Sequence, residues 1–279
     1  MRDLDGHPEL CSINTATLGF QVPIAVAIEA VARNGFSGIS PWRREIEGGD
    51  LKAISQRIRD AHLVVPGYCR SSFIPAASAQ EFRAHIADNK RAIDDAAILG
   101  AQSFVMVVGG LPTGSRDIRD ARAQVADGIA ELLAYGKAHG VRIALEPLHP
   151  MYAADRSCLS TITEAQRLCE RLGEPQWLGL CLDVYHIWWD PDVEASIAAA
   201  KDRIFDFHVC DWLVPTHDML NDRGMMGDGV IEIKRLRGLV EDANYRGLVE
   251  VEIFSSHNWW KRPIEETLRI CRERLAKAC

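Results

Sequence analysis

Eight short apolar runs, each followed by a helical pattern, recur along this chain with similar punctuation. The runs fall near 10–18, 36–42, 63–69, 102–109, 141–147, 178–185, 203–210 and 247–254. The helical patterns between and after them span roughly 23–34, 50–62, 78–99, 118–139, 162–172, 193–201, 232–244 and 263–277. Brief runs of Val, Ile, Leu and Phe suit parallel strands whose two faces are both covered. Asn34-Gly35, Leu99-Gly100 and His139-Gly140 close three helices, because glycine readily takes the backbone turn just past a helix end. Asp50-Leu51 and Thr163-x-x-Gln166 read as helix starts, and Pro23 and Pro263 suit a first helical turn. Eight β units alternating with eight α units predict an α/β fold, a (β/α)8 TIM barrel, with residues 1–279 as a single domain. A doubly wound sheet would need fewer strands and a phosphate-binding loop after the first, and Thr15-Ala-Thr-Leu-Gly19 is not one.

Bulk properties narrow the partners. The 279 residues are 47% hydrophobic and 25% charged, which fits one undivided barrel with a substantial core. A net charge of −7 argues against a nucleic-acid partner. The segment Met1–Pro8 lacks the apolar centre of a signal peptide, and no run reaches membrane-spanning length. A cytoplasmic protein with no membrane partner is therefore expected. None of the eight cysteines forms a C-x-x-C pair, so they read as reduced core thiols.

Four of the runs share one further property. Arg142-Ile-Ala-Leu-Glu146, Gly179-Leu-Cys-Leu-Asp183, Ile204-Phe-Asp-Phe-His208 and Leu248-Val-Glu-Val-Glu252 each end on a metal-ligating side chain. Delivered from neighbouring strand ends, Glu146, Asp183, His208 and Glu252 would form an open site of oxygen and nitrogen donors. Glu250 lies on the same strand face as Glu252, so either could be the ligand, and spacing from Gly247 favours Glu252. Long connections at 147–161 and 211–231 follow the fifth and seventh strands, on the rim that carries chemistry in barrels.

Leu145-Glu146-Pro147-Leu148, Leu182-Asp183-Val184-Tyr185-His186, His208-Val-Cys-Asp211, Arg223-Gly-Met-Met-Gly-Asp-Gly229 and Tyr245-Arg-Gly247 leading to Glu252 carry a resemblance. In strand order and motif the chain resembles the xylose-isomerase-like superfamily of TIM barrels, which includes sugar isomerases, ketose 3-epimerases and inosose dehydratase. The resemblance implies that Glu146, Asp183, His208 and Glu252 hold the divalent metal. It also implies that His186 and Arg223 contact substrate. The epimerases tend to place another acidic residue six positions after the first ligand, where this chain has Tyr152. Tyr152 and Trp188 are read as substrate-facing side chains.

Three carboxylates and one imidazole suit Mn²⁺ first, with Mg²⁺, Co²⁺ or Zn²⁺ as alternatives. Such an ion would act as a Lewis acid that stabilises an enediolate, with Glu146 and Glu252 as base and acid on either side of the substrate. The expected function is a divalent-metal-dependent sugar isomerase or epimerase acting on a keto-sugar or polyol. The alternative is a dehydratase or lyase that eliminates a β-substituent from the same intermediate, on an inosose, a dehydroshikimate-like acid or a keto-glycoside. A nuclease would need a His-rich multi-metal cluster and a basic groove, which the acidic chain disfavours, and two intact glutamates disfavour a non-catalytic role. Six of seven tryptophans (Trp42, Trp188, Trp189, Trp212, Trp259 and Trp260) follow strands, pointing to a carbohydrate or cyclitol small molecule of some bulk. That rim also offers a surface for a homo-oligomer. Arg43, Arg44 and Arg70 follow early strands and could hold a carboxylate or phosphate, although surface arginines are the plainer account.

Overall fold

In the computed structural model, which describes residues 1–20 and 22–279, the alternation of strand and helix closes on itself. The strands are β1 (Cys11–Asn14), β2 (Gly38–Ser40), β3 (Val65–Tyr68), β4 (Ala101–Met106), β5 (Arg142–Leu145), β6 (Leu178–Asp183) and β7 (Ile204–Val209). A two-residue pair, β8 (Asp211–Trp212) and β9 (Arg223–Gly224), precedes the last barrel strand, β10 (Val249–Val251). The eight barrel strands run in the order β2-β1-β10-β7-β6-β5-β4-β3, all parallel. A parallel bridge from Gly38 to Val64 joins the two ends of that order and closes the barrel.

Helices α1 (Ile24–Arg33), α2 (Arg43–Ile46), α3 (Leu51–Asp60), α4 (Ala79–Leu99), α5 (Ile118–Ala138) and α6 (Ile162–Leu172) lie in the first two-thirds of the chain. The rest are α7 (Val184–Ile187), α8 (Val193–Ala200), α9 (Ile233–Asp242) and α10 (Ile264–Ala278). Helix α4 shows how the outer layer forms. Ser78 accepts a hydrogen bond from the Glu81 amide, and Ile86, Ala92, Ile93, Ala96 and Leu99 form a buried stripe at helical spacing. Gly100 then takes a left-handed turn that leads straight into β4. Helix α6 covers the expected residues 162–172, but its capping residue differs from the expected one. Thr161, not Thr163, accepts from the amide three residues on, while the Glu164 side chain binds the Ser160 amide.

The first strand is shorter than the apolar run. Asn14 turns its side-chain oxygen onto the Ala16 amide, and residues 15–18 wind into a 3₁₀ turn. Two four-residue helices also follow strands directly. Asp183 ends β6 and accepts from the Tyr185 amide at 2.9 Å, which starts α7 and folds His186 back over the barrel mouth. Among the described residues no helix is long and apolar enough to cross a membrane.

Strand alternation separates two environments. Outward side chains such as Ile143, Leu145, Leu180, Leu182, Phe207, Val209, Val249 and Val251 pack in the large core with the helices. Most inward side chains are small or polar, and Cys69, Val105, Ala144 and Cys181 form a separate small cluster with Phe205. Below the strand ends, Glu250 accepts from Ser12 Oγ at 2.9 Å, Ser40 Oγ at 2.6 Å and Asn14 Nδ2 at 3.1 Å. Asp206 accepts from the Ser103 hydroxyl.

One irregularity fixes the site. The β6–β7 register shifts between Leu180 and Cys181, so Leu180 pairs with Ile204 but Asp183 pairs with His208. The extra residue on β7 is Phe205. A β-carbon on Gly179 would lie 2.3 Å from the Arg203 carbonyl oxygen and 2.8 Å from the Phe205 ring. Gly179→Ala is therefore expected to lose about 2–3 kcal/mol of stability and to misalign Asp183 with His208. Urea unfolding and metal titration check this, and a variant that binds metal as the parent does would refute it.

Candidate active site

Strand ends β5, β6, β7 and β10 converge, and one ligand atom from each of Glu146, Asp183, His208 and Glu252 lies within 4.8 Å of the other three. All four residues are buried, between 0% and 6% exposed. The inward parity of the strands explains it. Ala144 and Glu146 face inward from the end of β5, as do Cys181 and Asp183 on β6, Asp206 and His208 on β7, and Glu250 and Glu252 on and just beyond β10.

These residues fit a divalent cation. Glu146 Oε1 is buried with no hydrogen-bond partner, which is costly unless something else satisfies it. Burial, and then the Glu252 charge, push the Glu146 carboxyl up to about 8. His208 Nδ1 faces Glu252 Oε2 at 3.7 Å, while Nε2 lies 3.4 Å from Glu250 Oε1. A proton on Nε2 directed to Glu250 would leave the Nδ1 lone pair for an ion, the usual arrangement of a ligating histidine with a carboxylate behind it. Burial works against protonation of His208, yet Glu250 and Glu252 together hold it well above the ordinary histidine range. Metal binding at that nitrogen would displace a proton. Glu252 is pulled the other way: burial opposes its charge, but the His208 contact and the Arg223 charge keep it below the usual carboxylate range. Cys181 Sγ also lies close to His208, at 3.5 Å from Nε2. Burial raises this thiol well above its usual range, which disfavours the thiolate a ligand requires.

Arg223 completes the charge balance. Its Nη1 donates to Asp183 Oδ2 at 2.7 Å and to Glu252 Oε2 at 3.2 Å, and its plane lies over Tyr185 and Phe254. His186 stands beside it. Nδ1 receives the His149 amide at 3.3 Å, and Nε2 meets Arg223 Nη2 at 3.3 Å. Two donors facing one imidazole leave no room for a second ring proton. Burial pushes His186 down to about 3, so this ring is neutral.

Above these groups opens a cavity of about 660 Å³, lined by Glu146, His186, Arg223, Glu252, Trp42 and Trp260 among others. Its cover comes from the two long connections. Tyr152 Oη donates to the Met219 carbonyl at 2.6 Å, clasping 147–161 to 211–231, and Tyr185 Oη on α7 donates to the same carbonyl at 2.9 Å. Asp211 holds the second connection together by accepting from the amides of Trp212, Gly227 and Ile231.

The description "xylose isomerase-like TIM barrel" fits residues 28–274 as a family model. The chain belongs to that family. Among solved members of this barrel architecture, protein SMc04130 from Sinorhizobium meliloti 1021 is 47% identical, with a TM-score of 0.95 over 98% of this chain and 99% of that one. The IOLI protein, solved with a binding zinc atom, is 18% identical at a TM-score of 0.83, covering 96% of this chain and 97% of that one. At that identity the likeness is one of fold. The inosose isomerase of Halalkalibacterium halodurans is 26% identical over 153 residues, 52% of this chain. The match spans about half the length of that curated relative, 50% of it.

Within this family barrel, the residues singled out from sequence separate into groups. Glu146, Asp183, His208 and Glu252 come together, with His186 and Arg223 against them, while Glu250 sits one layer deeper with its oxygens already bonded. Tyr152 presents its ring to the cavity, but its hydroxyl is committed to Met219. Trp188 does not reach the cavity. It follows the short α7 and packs on Trp212, with ring centroids 5.6 Å apart. Of the six rim tryptophans only Trp42 and Trp260 line the cavity, and Trp212 stacks on Tyr185. Arg43 is also withdrawn, since its two Nη atoms lie 2.5 and 2.9 Å from the Asp88 carboxylate. First the Arg43 hydrogen bond, and then Ser72 and Arg91, hold that carboxyl well below its usual range. Sequence reasoning did not find Arg156, Asn221 or Phe254, which line the cavity from loops without periodicity. Only Phe254 left a signal, because it continues the inward parity of Glu250 and Glu252.

Proposed function

We propose that this protein is a divalent-metal-dependent isomerase or epimerase that acts on a keto-sugar or polyol by proton transfer through an enediolate, the proton returning to the opposite face of the same carbon or to the former carbonyl carbon. One observation carries the reading: Glu146, whose buried Oε1 lacks any partner, brings a carboxylate oxygen together with three other ligand-type groups at the floor of a substrate-sized cavity. When bound there, a divalent ion supplies Lewis-acid stabilisation of negative charge on substrate oxygens. Mn²⁺ is the first choice for three carboxylates and one imidazole, with Zn²⁺, Mg²⁺ and Co²⁺ as alternatives.

The chain's own residues do the rest. Glu146 and Glu252 arrive from opposite ends of the ligand set, just beyond β5 and β10, and each carries a carboxylate able to take or return a proton. Neutral His186 and the Arg223 guanidinium border the same space and would orient substrate hydroxyls. Trp42, Phe254 and Trp260 give an apolar wall against sugar C–H groups and limit water near a reactive intermediate. The inosose isomerase relative supports an isomerase over an eliminating enzyme.

Incubation of the metal-loaded protein with keto-sugars and inososes in D₂O tests this. Deuterium at the carbon next to the carbonyl in a recovered isomer or epimer is expected. Loss of water or of a β-substituent, with an unsaturated product, would assign the site to elimination instead. Unlabelled, unconverted substrates across the panel would sink the proposal.

A further inference from the structure

Of three guanidinium groups on the cavity wall, two have no anionic partner among the described residues and the third has one exposed carboxylate. Arg44, Arg70 and Arg156 line the same space as Glu146 and Glu252. Among the described residues, neither Arg44 nor Arg70 has an acidic side chain within ion-pair distance or a hydrogen-bond acceptor. Arg44 lies over the Phe20 ring at 3.0 Å, and Arg70 lies over Phe73 at 5.0 Å and Trp42 at 6.0 Å. Arg156 lies over Tyr152 at 5.5 Å, and its nearest carboxylate is the exposed Asp155, 3.7 Å from Nε. The aromatic faces position the guanidinium planes without neutralising them. Arg43, next in sequence to Arg44, shows what a structural arginine does here, with both Nη atoms on Asp88.

The charges around the cavity then have a direction. With a divalent ion in place, that ion and Arg223 balance the three carboxylates of the floor. On the wall, Glu45 borders the same cavity and partly offsets Arg44, while its Oε2 also accepts from the Thr15 hydroxyl and the Trp42 amide. Burial lowers the proton affinity of Arg70 and the neighbouring Arg156 and Arg44 lower it further, while Glu146 on the cavity floor acts in the opposite sense. Like charges are held together at a cost, and a site that meets a charged ligand recovers it.

We propose that the substrate carries an oxyanion group, a carboxylate or a phosphate, bound by Arg70 and Arg156 with Arg44 at the outer edge. This rests on the proton-transfer reading of the same cavity and names its substrate class: a charged keto-sugar or sugar acid, not a neutral ketose. A carboxylate matches the flat guanidinium fork best, because no glycine-rich run of amides accompanies the arginines. The adjoining groove of about 850 Å³ shares Trp42, Arg44 and Arg70 with the cavity, so an extended charged end has space to leave the reacting centre.

Calorimetric binding to the metal-loaded protein tests the proposal with matched pairs: D-glucuronate against D-glucose, and D-fructose 6-phosphate against D-fructose. At least one charged sugar is expected to bind tenfold or more tightly than its neutral partner, and the advantage should shrink as salt rises from low to high. The pair showing it identifies the group as carboxylate or phosphate. Arg70→Gln and Arg156→Gln should each remove most of the advantage by weakening the charged sugar far more than its neutral partner, with Arg70→Lys restoring part. Arg44→Gln, at an exposed position, is a variant for which misfolding is not an issue. Equal affinity for charged and neutral partners, absence of binding by either charged sugar, or variants that weaken both partners alike would overturn it. Binding is read without turnover, so a protein that prefers the acid yet exchanges no deuterium would reject the isomerase reading alone. Deuterium exchange confined to neutral sugars would reject this inference alone.

Discussion

Glu146→Gln is expected to leave the metal-free fold as stable as the parent, or more so, while lowering turnover by roughly 10³-fold or more. The two effects have one cause. Glu146 Oε1 has no partner in the folded protein, and burial together with the Glu252 charge already disfavours its ionised form. A neutral amide of the same shape removes that penalty but cannot serve as an anionic ligand or a proton acceptor. Glu250→Gln makes the matched control. Its carboxylate is bonded by Ser12, Ser40 and Asn14, so its loss should weaken the fold while metal stoichiometry stays near that of the parent. Urea unfolding without metal, metal content and the deuterium assay measure all three quantities. If Glu146→Gln unfolded early, or if Glu250→Gln were the variant that lost the metal, the ligand assignment would fail.

Arg223→Ala should cost about 3–5 kcal/mol in metal-free buffer, because it leaves Asp183 and Glu252 buried with their main cationic partner removed. Arg223 is only 3% exposed, so water cannot take over the role. Added Mn²⁺ or Zn²⁺ should restore part of the loss, since a cation between the same carboxylates supplies the missing charge and binds only the folded state. The parent should gain less from the same metal. Chemical unfolding with and without each ion gives the comparison, and an alanine variant as stable as the parent without metal would show that the arginine is not what balances the site. Activity should also fall, because the guanidinium borders the substrate cavity.

Much of this is legible in the sequence. The eight-fold alternation of apolar run and helix is local information, since strand and helix periodicities are written in consecutive residues. The shared position of Glu146, Asp183, His208 and Glu252 at run ends was equally visible, because a parallel barrel presents all its strand ends on one face. Their inward direction follows from two-residue parity. Where the reading drifted, a side chain had redirected the backbone: Asn14 cut β1 short, and Asp183 opened α7 earlier than the apolar pattern implied. The tryptophans mark the same limit. Position after a strand placed all six on the rim, but only Trp42 and Trp260 turned inward to the cavity, because loop side chains follow contacts instead of a period.

By itself the sequence determined the barrel, the strand order along the chain and the four ligand-type residues, since each depends on short-range pattern and parity. Only the tertiary structure decided which glutamate is already satisfied, where Arg223 and Arg43 find their partners, and that Arg44, Arg70 and Arg156 share one wall. Those outcomes depend on distances between residues far apart in the chain, such as the 40 positions between Asp183 and Arg223, and no local periodicity encodes them.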